Sequence, residues 1–142
     1  MKTCFDAKHL NIKYEEINDV LISEWKTPSD ITDSEYREIF KSYVEVLKEH
    51  KPKNVIVNAL KAQYAIPVKT QDWVNQQAYP LYAQFKTERM AIIMSTDFIA
   101  QLSFEQVVDD AESNDDIKTM FFDNEESALE WMRGNSIDKR VA

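Results

Sequence analysis

The stretch ITDSEYREIFKSYVEVLKEHKPKNVIVNA, Ile31–Ala59, decides the fold class. Thr32 and Glu35 form an S/T-x-x-E capping box, and Ile31 is placed to staple onto Tyr36 across the helix start. Behind the cap, Tyr36, Ile39, Phe40, Tyr43 and Leu47 recur at helical spacing. Pro52 disfavours helical geometry in Lys51, so the helix should end near His50. Val55–Ala59, VIVNA, is then a short apolar run of the kind a buried parallel strand shows. One amphipathic helix feeding directly into a buried strand is half of a βαβ unit.

Working outward, three strands precede this unit: Thr3–Asp6, Asn11–Ile17 and Asp19–Lys26. After it, Leu60–Lys69 reads as a loop. A second helix runs from Thr70 or Gln71 to about Phe85, with Trp73, Gln77, Leu81 and Phe85 as its stripe and Pro80 expected to kink or split it. Arg89–Ser95 reads as another buried strand and Thr96–Leu102 as a short helix. A second capping box opens at Ser103 and predicts a helix to about Ala111, followed by a polar loop over Ser113–Asp116. Ile117–Asp123 is the last strand. Asp123 and Glu126 are placed to cap a final helix, and Gly134 sits at its left-handed C′ position. The prediction is one α/β domain over 1–135 with a loose tail over 136–142. Its sheet is single, mixed and largely parallel, with five or six strands and flanking helices. The strands at Val55–Ala59 and Arg89–Ser95, the most uniformly apolar, are expected at the centre.

Composition narrows the partners. The chain has 142 residues, enough to bury roughly 70% of the surface its unfolded form exposes. Net charge is −8, from 25 acidic and 17 basic residues. Phosphate binding releases counterions only from a basic surface, so nucleic acid and anionic membrane are not expected partners. The longest apolar runs fall far short of the roughly 20 residues of a membrane span. The N-terminus shows no signal-peptide pattern, and the single cysteine, Cys4, cannot form an internal disulfide; together these predict a cytoplasmic protein. The single glycine, Gly134, leaves no phosphate-cradling loop.

Four segments carry a resemblance: KPKNVIVNA (Lys51–Ala59), QDWVNQQAYPLYAQF (Gln71–Phe85), RMAIIMSTDF (Arg89–Phe98) and FFDNEESALEWM (Phe121–Met132). In order and pattern the chain resembles the SpoIIAA-like family, relatives of the STAS domains, and within it a subset common in Bacteroidetes-type bacteria. The resemblance implies a mixed sheet flanked by helices, frequent dimerisation, and binding or regulatory roles without a shared catalysis. In phosphoregulated STAS proteins an Asp-Ser pair starts the helix after a central strand. Here that strand ends in Asn58-Ala59, and Thr70 is the nearest hydroxyl at a helix start.

Chemistry-bearing residues are sparse. His9 and His50 have structural readings, His50 as a cation at a helix C-terminus. Cys4 and His9 are close in sequence, which does not bring them together in space. Asp109-Asp110 and Asp115-Asp116 lack the alternation and glycine of a calcium loop, and no zinc motif is present, so no metal or cofactor is expected. Glu15-Glu16 would point to opposite faces of a strand, and Glu125-Glu126 would complement a helix dipole. No catalytic residue is assigned. The best candidate site is the loop leaving the carboxyl end of Val55–Ala59, because ligands of open α/β sheets favour that edge. It offers Asn58, Gln63, Tyr64, Thr70, Gln71 and Trp73 as ligand- or partner-binding residues, or as a plug for the core. Two functions remain open. One is a non-enzymatic binding or regulatory module with a protein partner, STAS-like and homodimeric, with Tyr79 and Tyr82 turned outward by Pro80 as the dimer surface. The other is a small-molecule or lipid-binding protein with an apolar pocket at the carboxyl ends of the strands.

Overall fold

The computed structural model describes residues 1–94 and 117–134. Six strands form one sheet in chain order: β1 (Lys2–Asp6), β2 (Leu10–Glu15), β3 (Val20–Trp25), β4 (Asn54–Asn58), β5 (Arg89–Ile93) and β6 (Lys118–Phe122). The first two pairings are antiparallel and the next three parallel, so the sheet is mixed as expected. Among the described residues there are three helices: α1 (Asp33–His50), α2 (Val68–Phe85) and α3 (Glu125–Met132). The short helix expected over Thr96–Leu102, the one from Ser103 to about Ala111, the loop over Ser113–Asp116 and the tail over 136–142 lie outside the described residues.

The α1 start is as the sequence implies. The Thr32 side chain accepts from the Glu35 amide, and the Glu35 carboxylate accepts from the Thr32 backbone. Lys51 closes the helix in the left-handed region at φ 47°, its amide donating to the Leu47 carbonyl. With glycine so scarce, a lysine takes the conformation that glycine favours.

Expectations about the sheet centre, α2 and the last helix need correction. The middle of the sheet is β3 and β4, not β4 and β5; every β3 residue except Glu24 is buried. α2 begins two residues earlier, after Pro67, and runs unbroken through Pro80. Pro80 leaves the Gln76 carbonyl without its helical partner, but both residues are exposed, so water can serve that carbonyl. The buried stripe of α2 is Thr70, Gln71, Val74, Ala78, Tyr82 and Phe85; Gln77 is exposed, and Trp73 and Leu81 are only half-buried. The final helix is capped by Asn124, whose side chain accepts from the Ser127 amide, one residue beyond the expected Asp123 and Glu126.

The alternation of each strand divides the core between two faces. One face carries Leu10, Ile12, Leu21, Trp25, Val55, Met90 and Ile92 beneath α1 and α2. The other carries Val20, Ile22, Ile56, Ala91, Ile93 and Phe122 beneath Ala128, Trp131 and Met132 of α3. Because β3 to β6 run parallel, their carboxyl ends share one edge of the sheet. The loop from Ala59 to Pro67 leaves that edge, and the helices that follow β3, β4 and β6 start from the same side.

Candidate functional site

At the carboxyl edge the six candidate residues do not form one site. Asn58 lies on the α3 face, in register with Ile56, and its amide donates to Glu125 Oε2 at 3.1 Å while its carbonyl oxygen accepts from the Leu60 amide. It ties β4 to the start of α3. The Gln63 side chain is exposed, and only its backbone is engaged, donating to the Thr27 carbonyl at 2.8 Å. Gln71 is buried and donates to the Ile66 carbonyl at 2.8 Å, holding the loop against α2.

Tyr64, Thr70 and Trp73 do come together, around two residues that sequence reasoning missed. Asp33, in the first turn of α1, accepts from Thr70 Oγ1 at 2.5 Å and from the Tyr64 hydroxyl at 3.0 Å. Its other oxygen accepts from Arg37 Nε at 2.8 Å, and Arg37 also reaches Thr70 and lies over the Trp73 ring at 5.1 Å. Burial penalises the Asp33 charge, but the hydrogen bonds from Thr70, Arg37 and Tyr64 outweigh it and hold the carboxyl below the usual range. Burial and the bond to Asp33 push the Tyr64 hydroxyl up to about 12. Asp33, Arg37, Tyr64 and Thr70 hydrogen-bond to one another, so the cluster clasps α1, the loop and α2 together. Thr70, 1% exposed, presents no accessible hydroxyl for phosphorylation.

Behind the clasp, a cavity of about 60 Å³, partly open to the surface, lies between the helices and the sheet. The sheet contributes Trp25, Val57, Met90 and Ile92, and the loop contributes Ile66. α1 contributes Tyr36, Phe40 and Tyr43; α2 contributes Val74, Ala78, Tyr79 and Tyr82. Rings dominate its wall: Trp25 contacts Tyr36, Phe40 and Tyr43 at centroid separations of 6.1, 5.9 and 5.6 Å. Two of its tyrosines are paired, the hydroxyls of Tyr43 and Tyr82 lying 2.8 Å apart. Burial pushes the Tyr43 hydroxyl up to about 12 and raises that of Tyr82 well above its ordinary value, so both are protonated at neutral pH.

The proposed outward surface of Tyr79 and Tyr82 is corrected by the same geometry. Tyr82 is 3% exposed and points inward to Tyr43; Tyr79 is half-buried, its hydroxyl 3.7 Å from Met90 Sδ. Because Pro80 does not break α2, nothing rotates these rings away from the sheet.

Cys4 pairs with His50, not with His9. The separation of Sγ and Nε2 is 3.4 Å, and His50 Nδ1 lies 3.1 Å from the Val46 carbonyl. An Nδ1–H donating to that carbonyl leaves Nε2 to accept from the thiol. Burial, opposed by Lys2 and reinforced by Glu49, raises the Cys4 pKa, so the thiol stays protonated. His9 lies instead with Lys26, Asp30 and Glu35 along an open cleft. Among the described residues, no three of His, Cys, Asp and Glu are grouped to hold a metal, and no helix is long and apolar enough to cross a membrane. Asp109-Asp110 and Asp115-Asp116 lie outside the described residues.

No protein-family model, curated protein or solved structure matches the chain.

Proposed function

We propose that this protein is a non-enzymatic binding module that holds the apolar end of a small molecule in the cavity between α1, α2 and the sheet. The cavity carries the proposal. Its wall is made of rings and aliphatic side chains from four parts of the fold, and it lies behind the edge where ligands of open α/β sheets collect. At about 60 Å³ it is smaller than the roughly 150 Å³ that takes a benzene ring, so the enclosed part suits three or four heavy atoms. Its partial opening leaves the remainder of a longer ligand outside.

Two further observations support a non-enzymatic role. The thiol next to His50 is kept protonated, whereas a nucleophilic cysteine needs its pKa lowered. The Asp33 carboxylate is engaged by Thr70, Tyr64 and Arg37 of its own chain. A protein-interaction role resting on an outward Tyr82 loses that support with its burial.

The test is a two-dimensional NMR titration of ¹⁵N-labelled protein with isobutene, reading the tryptophan indole signals. Trp25 lines the cavity, while Trp131 packs on the opposite face of the sheet. A saturable shift of the Trp25 indole with Trp131 unmoved is expected. Absence of any saturable shift, or equal shifts of both, would refute cavity binding.

A further inference from the structure

Tyr43 and Tyr82 together hold more hydrogen-bonding capacity than they use. A phenolic hydroxyl has one proton to donate and can also accept. The two oxygens are 2.8 Å apart, so one hydroxyl donates to the other. Whichever way that bond runs, the accepting hydroxyl still carries its own proton, and among the described residues neither hydroxyl has another hydrogen-bond partner. The residues are 2% and 3% exposed, and both line the cavity. A buried donor without a partner is costly, and the cost is recovered when an acceptor arrives. The described lining is otherwise mainly apolar, its remaining polar atoms being those of Trp25, Tyr36 and Tyr79.

We propose that the cavity selects an uncharged ligand whose apolar end carries one hydrogen-bond acceptor, a carbonyl or ether oxygen, which takes the spare proton of the Tyr43–Tyr82 pair. This deepens the binding proposal above and rests on it. A carboxylate is disfavoured, because no cation among the described residues lines the cavity to offset its burial. A plain hydrocarbon fits the wall but leaves the proton unused.

The pair makes a distinctive prediction. If only Tyr43 or only Tyr82 becomes phenylalanine, the remaining hydroxyl still has its proton free for the ligand. Only the double change removes the donor that the pair supplies. The experiment therefore compares acetone with isobutene, which are close in shape, in wild type, Tyr43→Phe, Tyr82→Phe and the double variant. Dissociation constants come from the Trp25 indole shift, and thermal unfolding confirms that each variant is folded. The ratio of acetone to isobutene affinity should change little in either single variant and fall about tenfold in the double variant, the worth of one hydrogen bond. If both probes bind wild type but the ratio is unmoved in the double variant, or falls fully in one single variant, the spare-proton assignment is overturned while cavity binding stands. If neither probe binds wild type, the binding proposal itself fails and this inference fails with it.

Discussion

The two faces of the sheet are covered by different materials. Beneath α3, short aliphatic side chains from the strands (Val20, Ile22, Ile56, Ala91, Ile93) meet Trp131 and Ala128, both 0% exposed. Beneath α1 and α2, the contacts are ring on ring: Trp25, Tyr36, Phe40, Tyr43, Tyr64 and Trp73 form a connected aromatic set, with Tyr79 and Tyr82 edge to face beside it. Small branched side chains interdigitate and fill space. Large planar rings prefer offset and tilted contacts, and their fixed shapes leave gaps. Among the described residues, the cavity between helices and sheet lies on the aromatic face, lined by these rings.

Neighbouring residues on β5 offer the largest contrast. Ile92 lines the cavity, and Ile93 packs on the α3 face. Ile93→Ala should cost about 4 kcal/mol and Ile92→Ala about 2 kcal/mol, since a side chain beside a void has fewer contacts to lose. Urea unfolding of the two variants gives the comparison, and equal losses would break the distinction between the faces.

Adding volume should have opposite signs on the two faces. Val74→Ile places one more methylene in the cavity and should stabilise by about 0.8 kcal/mol. Ala128→Leu forces three extra carbons against the strands and should destabilise by about 1–3 kcal/mol. Denaturant midpoints measured side by side decide it; a gain in both would mean that the α3 face is also under-filled.

The smallest effect concerns the clasp at the cavity's end. Its Asp33 carboxyl is held below the usual range, so the folded state binds that proton less readily than the unfolded chain. The stability this contributes is complete above the unfolded value of about 4 and is lost as pH falls through the lower folded value. Asp33→Asn should flatten the fall in unfolding midpoint as pH drops below about 4. The Asp33 side chain is 39% exposed, so solvent screening keeps the effect modest. An unchanged slope would remove Asp33 from the acid response.

What the sequence revealed was local. The Thr32–Glu35 cap, the helix stop before Pro52 and the strand beginning at Asn54 or Val55 are written in adjacent residues. The α2 stripe was misplaced because apolar residues occur on several sides of that helix, and only its docking against α1 through Tyr43 and Tyr82 selects one. The site was less legible still. Asp33 meets Thr70 across 37 positions, Tyr43 meets Tyr82 across 39, and Cys4 meets His50 across 46. No spacing rule links residues so far apart; the parallel crossovers bring them together. Arg37 left one usable trace: at i+4 from Asp33 it could be read as an ion pair, although its reach to Trp73 could not.

A crystal of the protein pressurised with xenon tests the central claim most directly, since xenon enters dry apolar cavities. The account predicts one strong xenon peak enclosed by Trp25, Val74, Met90 and Ile92, beside the Tyr43 and Tyr82 hydroxyls. Ordered water filling that space, or side chains closed over it with no xenon present, would contradict a cavity built to receive an apolar ligand.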